Sequence, residues 1–218
     1  MGNFTIAQMI AVWALPVIFA ITVHEAAHGW VANKLGDDTA KSLGRVTLNP
    51  LKHIHWFGTI VLPAILLSLT GFVFGWAKPV PISWNKLKNP RRDMAIVALA
   101  GPGANFIMIL LWALIAKLDY VFFGNHLIWA KAIAYMGLAG ININLILMLL
   151  NLIPIPPLDG SRVLYSLLPP SLSEKFQHFE LSGLLILILL LFSGLLNPVI
   201  LTPMLYLRSI ILSLFGLS

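Results

Sequence analysis

Long apolar runs separated by short polar stretches dominate the pattern along this chain. Residues 4–23 carry no charge, and about 20 apolar residues are enough for one helix to cross a bilayer. The tail, residues 179–217, is apolar, broken near residues 194–198 and long enough for two spans. The pattern predicts helices over residues 4–35, 94–116, 128–152 and 159–168.

Glycine and proline predict where these helices bend and end. Gly36 is a C-terminal stop for the first helix, and Pro16 should bend that helix because proline cannot donate the hydrogen bond of its turn. Pro154, Pro156 and Pro157 should end the helix over residues 128–152.

The composition indicates the class of protein. Of 218 residues, 59% are hydrophobic and 10% are charged, with a mean hydropathy of +0.90. Soluble domains carry about 25% charged residues, so we expect an all-α polytopic membrane protein with a single domain over residues 1–218. The lack of cysteine excludes disulfides and thiolate metal sites. The net charge of +6 is expected to reflect basic loops beside lipid headgroups and not nucleic-acid binding.

Basic residues predict the orientation in the membrane. No Lys or Arg precedes Lys34, whereas nine lie between residues 34 and 92. The positive-inside rule therefore places the N-terminus outside and residues 34–92 in the cytosol. Residues 57–75 are apolar, and crossing the membrane there would send one basic flank outside. A re-entrant hairpin avoids this conflict and is favoured, although the segment is also long enough to span.

Candidate chemistry lies at the end of the first apolar run, in the sequence HEAAH. Ionisable groups are costly beside a membrane-spanning helix, which points to function. Residues four apart share a helix face, so His24 and His28 can bind one metal ion, and Glu25 can act as a general base on water. This pattern is typical of a zinc hydrolase. The alternative is a buried polar network that stabilises helix packing.

Asp159 is the candidate for the third protein ligand that a catalytic zinc ion needs. It follows a long apolar helix in the run NLIPIPPLDG, residues 151–160. Under the orientation above, this end of the helix is cytosolic, so the carboxylate reaches the same depth as the two imidazoles. The alternative is that Asp159 caps the helix that follows it.

These residues resemble the site-2 protease family of intramembrane zinc metalloproteases. The resemblance rests on the HEAAH motif, on the run over residues 151–160, and on residues 100–106, AGPGANF, which are similar to the Gly-Pro-x-x-Asn segment of that family. Residues 44–54 also resemble the small bacterial-type members. No PDZ domain fits in the connecting loops.

The resemblance implies a three-helix catalytic core, with residues 4–35, 94–116 and 128–168 in the core and residues 57–75 and 179–217 accessory. It implies a transmembrane protein or peptide substrate, cleaved near the cytosolic face by a multi-pass protein of the bacterial cell membrane. The implied site has Zn²⁺ held by His24, His28 and Asp159, Glu25 as the base, and Asn105 and Asn151 near the substrate backbone.

A transmembrane substrate must also be unwound, because every backbone amide of an intact helix is already hydrogen-bonded. Residues 76–81, WAKPVP, could supply an extended edge that pairs with the freed backbone, since residues before proline favour extended conformations.

Several polar residues have two interpretations. Asn105 could form an ordinary hydrogen bond between helices. Asn142 and Asn144 could face the site, but packing is their expected use. His53 and His55 could contact a metal, but we expect interfacial side chains beside Trp56.

The competing function is a metal-ion or small-solute transporter that uses the same His and Asp residues as a transit site. Such a transporter would tend to show inverted repeats, which this sequence lacks, and Glu25 would have no task. A catalytically inactive scaffold is a third class, disfavoured because all four required residues are present. The sequence leaves the substrate, the trigger and the oligomeric state open.

Overall fold

The computed structural model describes residues 5–62, 65, 66, 68, 75–123, 128–169, 171–173 and 180–217, and these residues form helices and loops without a strand. Short 3₁₀ turns cover Pro50–Lys52 and Trp84–Lys86, and a π-helix covers Trp56–Val61. The α-helices with described bounds are α1 (Ile6–Lys34), α2 (Thr39–Ser42), α3 (Pro90–Phe123), α4 (Ile128–Asn151), α5 (Asp159–Leu167), α6 (Glu180–Phe192) and α7 (Asn197–Leu214).

Four of the described helices, α1, α3, α4 and α7, are long and apolar enough to cross a membrane. This confirms the prediction of an all-α polytopic membrane protein. The predicted second span of the tail is not found in the described residues, because α6 is a shorter apolar helix. Gly194 adopts a left-handed φ of 74° and ends it, as the predicted break requires.

The first helix begins and ends where its capping residues dictate. Thr5 and Gln8 form a capping box, in which the Thr5 side chain accepts from the Gln8 amide and the Gln8 side chain accepts from the Thr5 amide. Gly36, with φ 115°, lets the chain turn, and the Asp37 amide donates to the Ala32 carbonyl at 2.9 Å. The predicted stop at Gly36 is therefore confirmed.

The third helix is longer at both ends than its apolar core predicts. It begins at Pro90, not at residue 94, because proline suits a first helical turn, and the Asp93 side chain accepts from the Asn89 amide at 2.8 Å. It continues past residue 116 to Phe123, and the Lys117 ammonium group lies 5.7 Å from the centroid of the Tyr120 ring one turn further on.

Close packing of α3 against α4 forms the centre of the bundle. A Cβ added to Gly140 would lie 2.2 Å from the Trp112 ring, and one added to Gly137 would lie 2.7 Å from Ala116. These glycines bring the two helices together and fix their relative rotation. The surrounding core is formed by side chains of α3, α4 and α7: Met108, Ile109, Trp112, Ala113, Ile141, Leu145, Met148, Met204 and Ile211.

The two ends of the apolar segment 57–75 meet. The Trp76 amide donates to the Gly58 carbonyl at 3.0 Å, and the Thr59 hydroxyl donates to the Trp76 carbonyl at 2.8 Å. A single crossing of the membrane would separate these ends, so the chain returns to where it left, as a hairpin requires. Most of the residues between lie outside the described ranges, and the depth of the hairpin stays a prediction.

Candidate metal centre

Three ligand atoms from helices α1 and α5 converge at the candidate site. The His24 Nε2 and His28 Nε2 atoms are 3.1 Å apart, and Asp159 Oδ2 lies 3.2 Å from the first and 3.4 Å from the second. Ligands held tetrahedrally at roughly 2.0–2.1 Å from a zinc ion stand about 3.3 Å from each other. The spacing of the three atoms therefore fits zinc.

His24 is oriented by a side chain of the neighbouring helix. Its Nδ1 lies 2.6 Å from Asn105 Oδ1, and the Asn105 Nδ2 group donates to Asn144 Oδ1 at 2.8 Å and to the Ala20 carbonyl at 3.3 Å. Because the oxygen of Asn105 faces the imidazole, His24 Nδ1 must carry the proton. The Nε2 atom of His24 is then left with a lone pair directed at the site.

His28 is oriented by a backbone carbonyl. Its Nδ1 lies 2.7 Å from the Val97 oxygen, which can only accept, so His28 also carries its proton on Nδ1. The Nε2 lone pairs of the two imidazoles and the Asp159 carboxylate oxygen thus face one another, and both ring protons lie on the Nδ1 atoms, away from this point. Among the described residues, the buried Asp159 Oδ2 atom has no hydrogen-bond donor. A cation at this point would satisfy all three groups.

Gly101 leaves the room in which such a cation would sit. A Cβ at this position would lie 2.4 Å from His28 Nε2 and 2.5 Å from His24 Cε1. The donor set, two imidazoles and one carboxylate, is one that zinc accepts. The residues present therefore fit a zinc ion.

Asp159 is held at the site by the turn that precedes it. It is the first residue of α5, and Leu158 occupies the N-cap position without a side-chain hydrogen bond. The carboxylate is therefore directed at the histidines, and the alternative capping role is not adopted. Gly160 permits the turn, because a Cβ there would lie 2.3 Å from the Leu152 oxygen.

Glu25 lies beside the three ligand atoms and is held by a loop. Its Oε2 accepts from the Val80 amide at 2.8 Å. Val80 belongs to residues 75–83, which contain no helix or strand and which we call the flanking segment. Gly29 lets this segment approach α1, since a Cβ there would touch a Val80 methyl group at 3.0 Å. The described backbone thus fixes one oxygen of the carboxylate.

The flanking segment is tied to the loop that follows α1. The Arg45 Nη2 group donates to the carbonyls of Lys78 and Pro79, at 2.9 and 3.3 Å, and the Lys78 amide donates to the His53 carbonyl at 2.8 Å. The Ser83 amide donates to Asp37 Oδ2 at 2.6 Å. These bonds fasten the segment at both ends.

Asp37 is ionised more readily than an ordinary aspartate. Burial alone would raise its pKa. Hydrogen bonds from the Thr39 hydroxyl and from the Ser83 and Thr39 amides lower the pKa by more than burial raises it, so the pKa lies below the ordinary value of 3.8. The carboxylate is buried, and its charge is compensated by these donors.

A cavity of about 600 Å³ adjoins the three ligand atoms. Glu25, Asn151 and Arg162 line it, together with apolar side chains of α4 and α6 and with the flanking segment. The cavity has mostly apolar walls and room for several residues of an extended peptide. Its lining includes Trp76, Val80, Leu147, Leu150, Leu184 and Leu187.

The predicted substrate residues have different surroundings. Asn151 lines the cavity, and its Nδ2 donates to the Leu147 carbonyl at 3.0 Å. Asn105 is fully buried and does not line the cavity. Its polar atoms contact His24, Ala20 and Asn144, an arrangement that favours orientation of the imidazole over contact with a substrate.

The two loop histidines lie apart from the ligand group found among the described residues. His53 is 2% exposed, and its Nε2 lies 2.9 Å from the Thr47 carbonyl, so its side chain is buried in the protein, and its expected position at the membrane interface stays a prediction. The loop covers it because residues 47–53 fold back on themselves. His55 accepts the Gly58 amide at its Nδ1 and caps the π-helix.

Val80 is a contributor that the sequence did not indicate, because a backbone donor leaves no residue-type signal. For Asn144 the sequence favours packing over a place facing the site, and its actual partner depends on how α4 is rotated against α3.

Comparison with known proteins points to one family. A model of Peptidase family M50 matches residues 12–192.

Three relatives carry names that begin "Putative zinc metalloprotease". YwhC of Bacillus subtilis is 39% identical over 205 residues, 93% of this chain and 90% of YwhC. Rip2 of Mycolicibacterium smegmatis is 31% identical over 87% of this chain and 68% of Rip2. MJ0611 of Methanocaldococcus jannaschii is 30% identical over 74% of this chain and 73% of MJ0611. No solved structure matches.

Proposed function

This chain belongs to Peptidase family M50, the site-2 protease family, and is a metalloprotease; from that premise we propose that it hydrolyses peptide bonds of transmembrane segments near the cytosolic face. The observation that carries the proposal is the convergence of His24, His28 and Asp159 beside Glu25, at one end of a bundle of membrane-spanning helices. The family leaves the transporter alternative without support.

His24, His28 and Asp159 would hold the zinc ion. When bound, it would supply a Lewis acid that polarises the scissile carbonyl and makes water more acidic. The Nδ1 contacts of the two histidines keep their rings in place, so the ligand atoms are positioned in advance.

Glu25 acts as the general base. Its carboxylate takes a proton from the attacking water and then gives that proton to the leaving amine, so both products form without a free proton in the site. The Val80 amide holds one oxygen and leaves the other for the water.

The substrate lies in the cavity between α4, α6 and the flanking segment. The apolar walls accept the side chains of a transmembrane segment, and the flanking segment offers backbone groups to the part that has unwound. Asn151, which also lines the cavity, supplies a further polar contact to the substrate backbone.

Two arguments support a site near the cytosolic boundary. His24 lies about 27 Å along α1 from Ile6, at ~1.5 Å per residue, against a hydrocarbon thickness of about 30 Å. The loops beyond α1, which contain Lys41, Arg45 and Lys78, lie at this end of the helix and carry the basic residues that favour the cytosol.

The function is tested with purified Glu25→Gln protein and a model transmembrane substrate in detergent or liposomes. Gln keeps the shape of Glu but cannot accept the proton, so hydrolysis should fall by at least ~10³-fold while the zinc content stays at that of the wild type. Near-normal cleavage by the variant would refute the role of Glu25. A wild-type protein that binds no zinc would refute the metal site.

The orientation is tested with single-cysteine variants, because the chain has no native cysteine. Asp38 and Lys86 form an exposed pair 3.1 Å apart, so Asp38→Cys and Lys86→Cys should be labelled from the same side. A membrane-impermeant reagent should reach both in inverted vesicles and neither in intact cells. Labelling in intact cells would overturn the proposed orientation.

A further inference from the structure

We propose that Asn144 is a positioning residue for the metal centre, which holds the Asn105 amide in the orientation that keeps His24 able to bind zinc. The inference rests on the proposed zinc site. It assigns a function to an intramembrane amide that touches neither the ligand atoms nor the cavity.

The contacts form a chain across three helices. Asn144 Nδ2 donates to the Gly140 carbonyl at 2.8 Å, one turn earlier in α4, which turns Asn144 Oδ1 toward α3. Asn105 Nδ2 donates to that oxygen at 2.8 Å, which turns Asn105 Oδ1 toward α1. His24 Nδ1 lies 2.6 Å from this second oxygen. A backbone carbonyl, which can only accept, therefore fixes the direction of every hydrogen bond in the chain.

The Asn144 contact is the shorter of the two described hydrogen bonds that set the orientation of the Asn105 amide. Asn105 and Asn144 are both 0% exposed, so bulk water cannot replace either partner. The other acceptor of the Asn105 amide is the Ala20 carbonyl, at the longer distance of 3.3 Å. Without Asn144, this longer contact alone would hold the Asn105 amide in its present orientation.

A flipped Asn105 would disable the ligand. The flip presents Nδ2 to His24 Nδ1, which must then accept a hydrogen bond and cannot hold the proton. The proton moves to Nε2, the atom that faces the metal. An imidazole protonated at Nε2 has no lone pair to give to zinc until that proton returns to Nδ1, so a flipped amide weakens the binding of zinc by His24.

Asn142 provides a matched control on the same helix. It is two residues from Asn144, and positions two apart on a helix do not share a face. Its Oδ1 is buried and has no hydrogen-bond partner in the part of the chain that the structure describes. Asn142→Ala therefore removes an intramembrane amide of the same size and leaves the contacts of His24 intact.

The experiment measures zinc affinity of the full-length detergent-solubilised protein by competition with a chelator. Asn144→Ala should bind zinc about 10–100-fold more weakly than the wild type, the usual loss when an outer contact of a ligand is removed. Asn142→Ala should stay within about threefold. Helical circular dichroism and the melting temperature of the zinc-free proteins check that each variant folds.

A double variant separates orientation from packing. In Asn105→Asp combined with Asn144→Ala, the carboxylate has only oxygen atoms, so no flip can present a donor to His24. Its zinc affinity should exceed that of Asn144→Ala by at least about threefold, in the range of outer-contact effects. A loss that came only from the cavity left at position 144 would persist in the double variant.

Each outcome decides the proposal. Equal zinc affinity of the wild type and Asn144→Ala would overturn the positioning role and leave the zinc site standing. A loss shared by Asn142→Ala, or a loss that the double variant does not recover, would show a packing effect and also overturn it. A wild type that binds no zinc would overturn the proposed function together with this inference.

Discussion

Gly101→Ala should remove zinc binding without unfolding the bundle. The added Cβ would lie 2.4 Å from His28 Nε2 and 2.5 Å from His24 Cε1, about 1 Å inside ordinary van der Waals contact. The imidazoles cannot swing aside freely, because each is tethered at Nδ1, by Asn105 and by the Val97 carbonyl.

The size of the effect follows from the narrow range of ligand distances that a metal site tolerates. Ligand distances must hold to within about 0.2 Å, whereas relief of this clash needs a shift of about 1 Å in a ring or in α3. Overpacking of a filled core costs about 1–3 kcal/mol, and here that cost is added to the misplaced ligands. We expect a loss of at least ~100-fold in zinc affinity, about 2.7 kcal/mol.

Gly103→Ala is the matched control, two residues further along the same helix. A Cβ at Gly103 meets no atom of the described residues within 4 Å, and the position is exposed on the surface of the bundle. Both substitutions gain on the order of 1 kcal/mol of helix propensity, so they differ mainly in the clash. Chelator competition on both purified variants provides the measurement. Zinc affinity of Gly101→Ala within threefold of Gly103→Ala would refute the reasoning.

Three further predictions follow from the packing and from the flanking segment. Gly140→Ala places a Cβ 2.2 Å from the Trp112 ring and should lower the stability of the zinc-free protein by about 1–3 kcal/mol, measured by chemical unfolding in detergent. Arg45→Ala removes two hydrogen bonds to the flanking segment and should reduce kcat/KM about tenfold with unchanged zinc content; unchanged cleavage would contradict this. The pKa of Asp37 is lowered on folding. The stability contributed by its ionised carboxylate is therefore present above the ordinary pKa of 3.8 and is lost as the pH falls through the pKa of the folded protein. The stability difference between the wild type and Asp37→Asn, measured from about pH 6 to about pH 3, should therefore shrink only toward the acid end.

The helices were predictable where residue chemistry marks their ends. Gly36 stops α1 by its left-handed conformation, and the prolines after residue 153 stop α4 within a residue of the predicted end. The bounds of α3 were not predicted, because Lys117 and Asp119 appear in the sequence as polar residues at a helix end. In the structure, Lys117 lies against Tyr120 and Asp119 is buried within the bundle, so the helix continues.

The three candidate metal ligands were predictable from the sequence, but the residues that orient them were not. Spacing along one helix places His24 and His28 together, and the depth of two membrane helices brings Asp159 near them. The contact of Asn105 with Asn144 depends on the relative rotation of α3 and α4, which Gly140 and Trp112 set by close packing. No spacing rule gives that rotation.

The separation of the ligands along the chain has a consequence for how the protein is made. His24 and His28 leave the ribosome early, whereas Asp159 is about 130 residues further on. At roughly 5–20 residues per second, the ligand set stays incomplete for about 7–26 s of synthesis. A newly inserted N-terminal half therefore has a base and two imidazoles but no complete ligand set. The proposed zinc site stays incomplete until Asp159 has been synthesised.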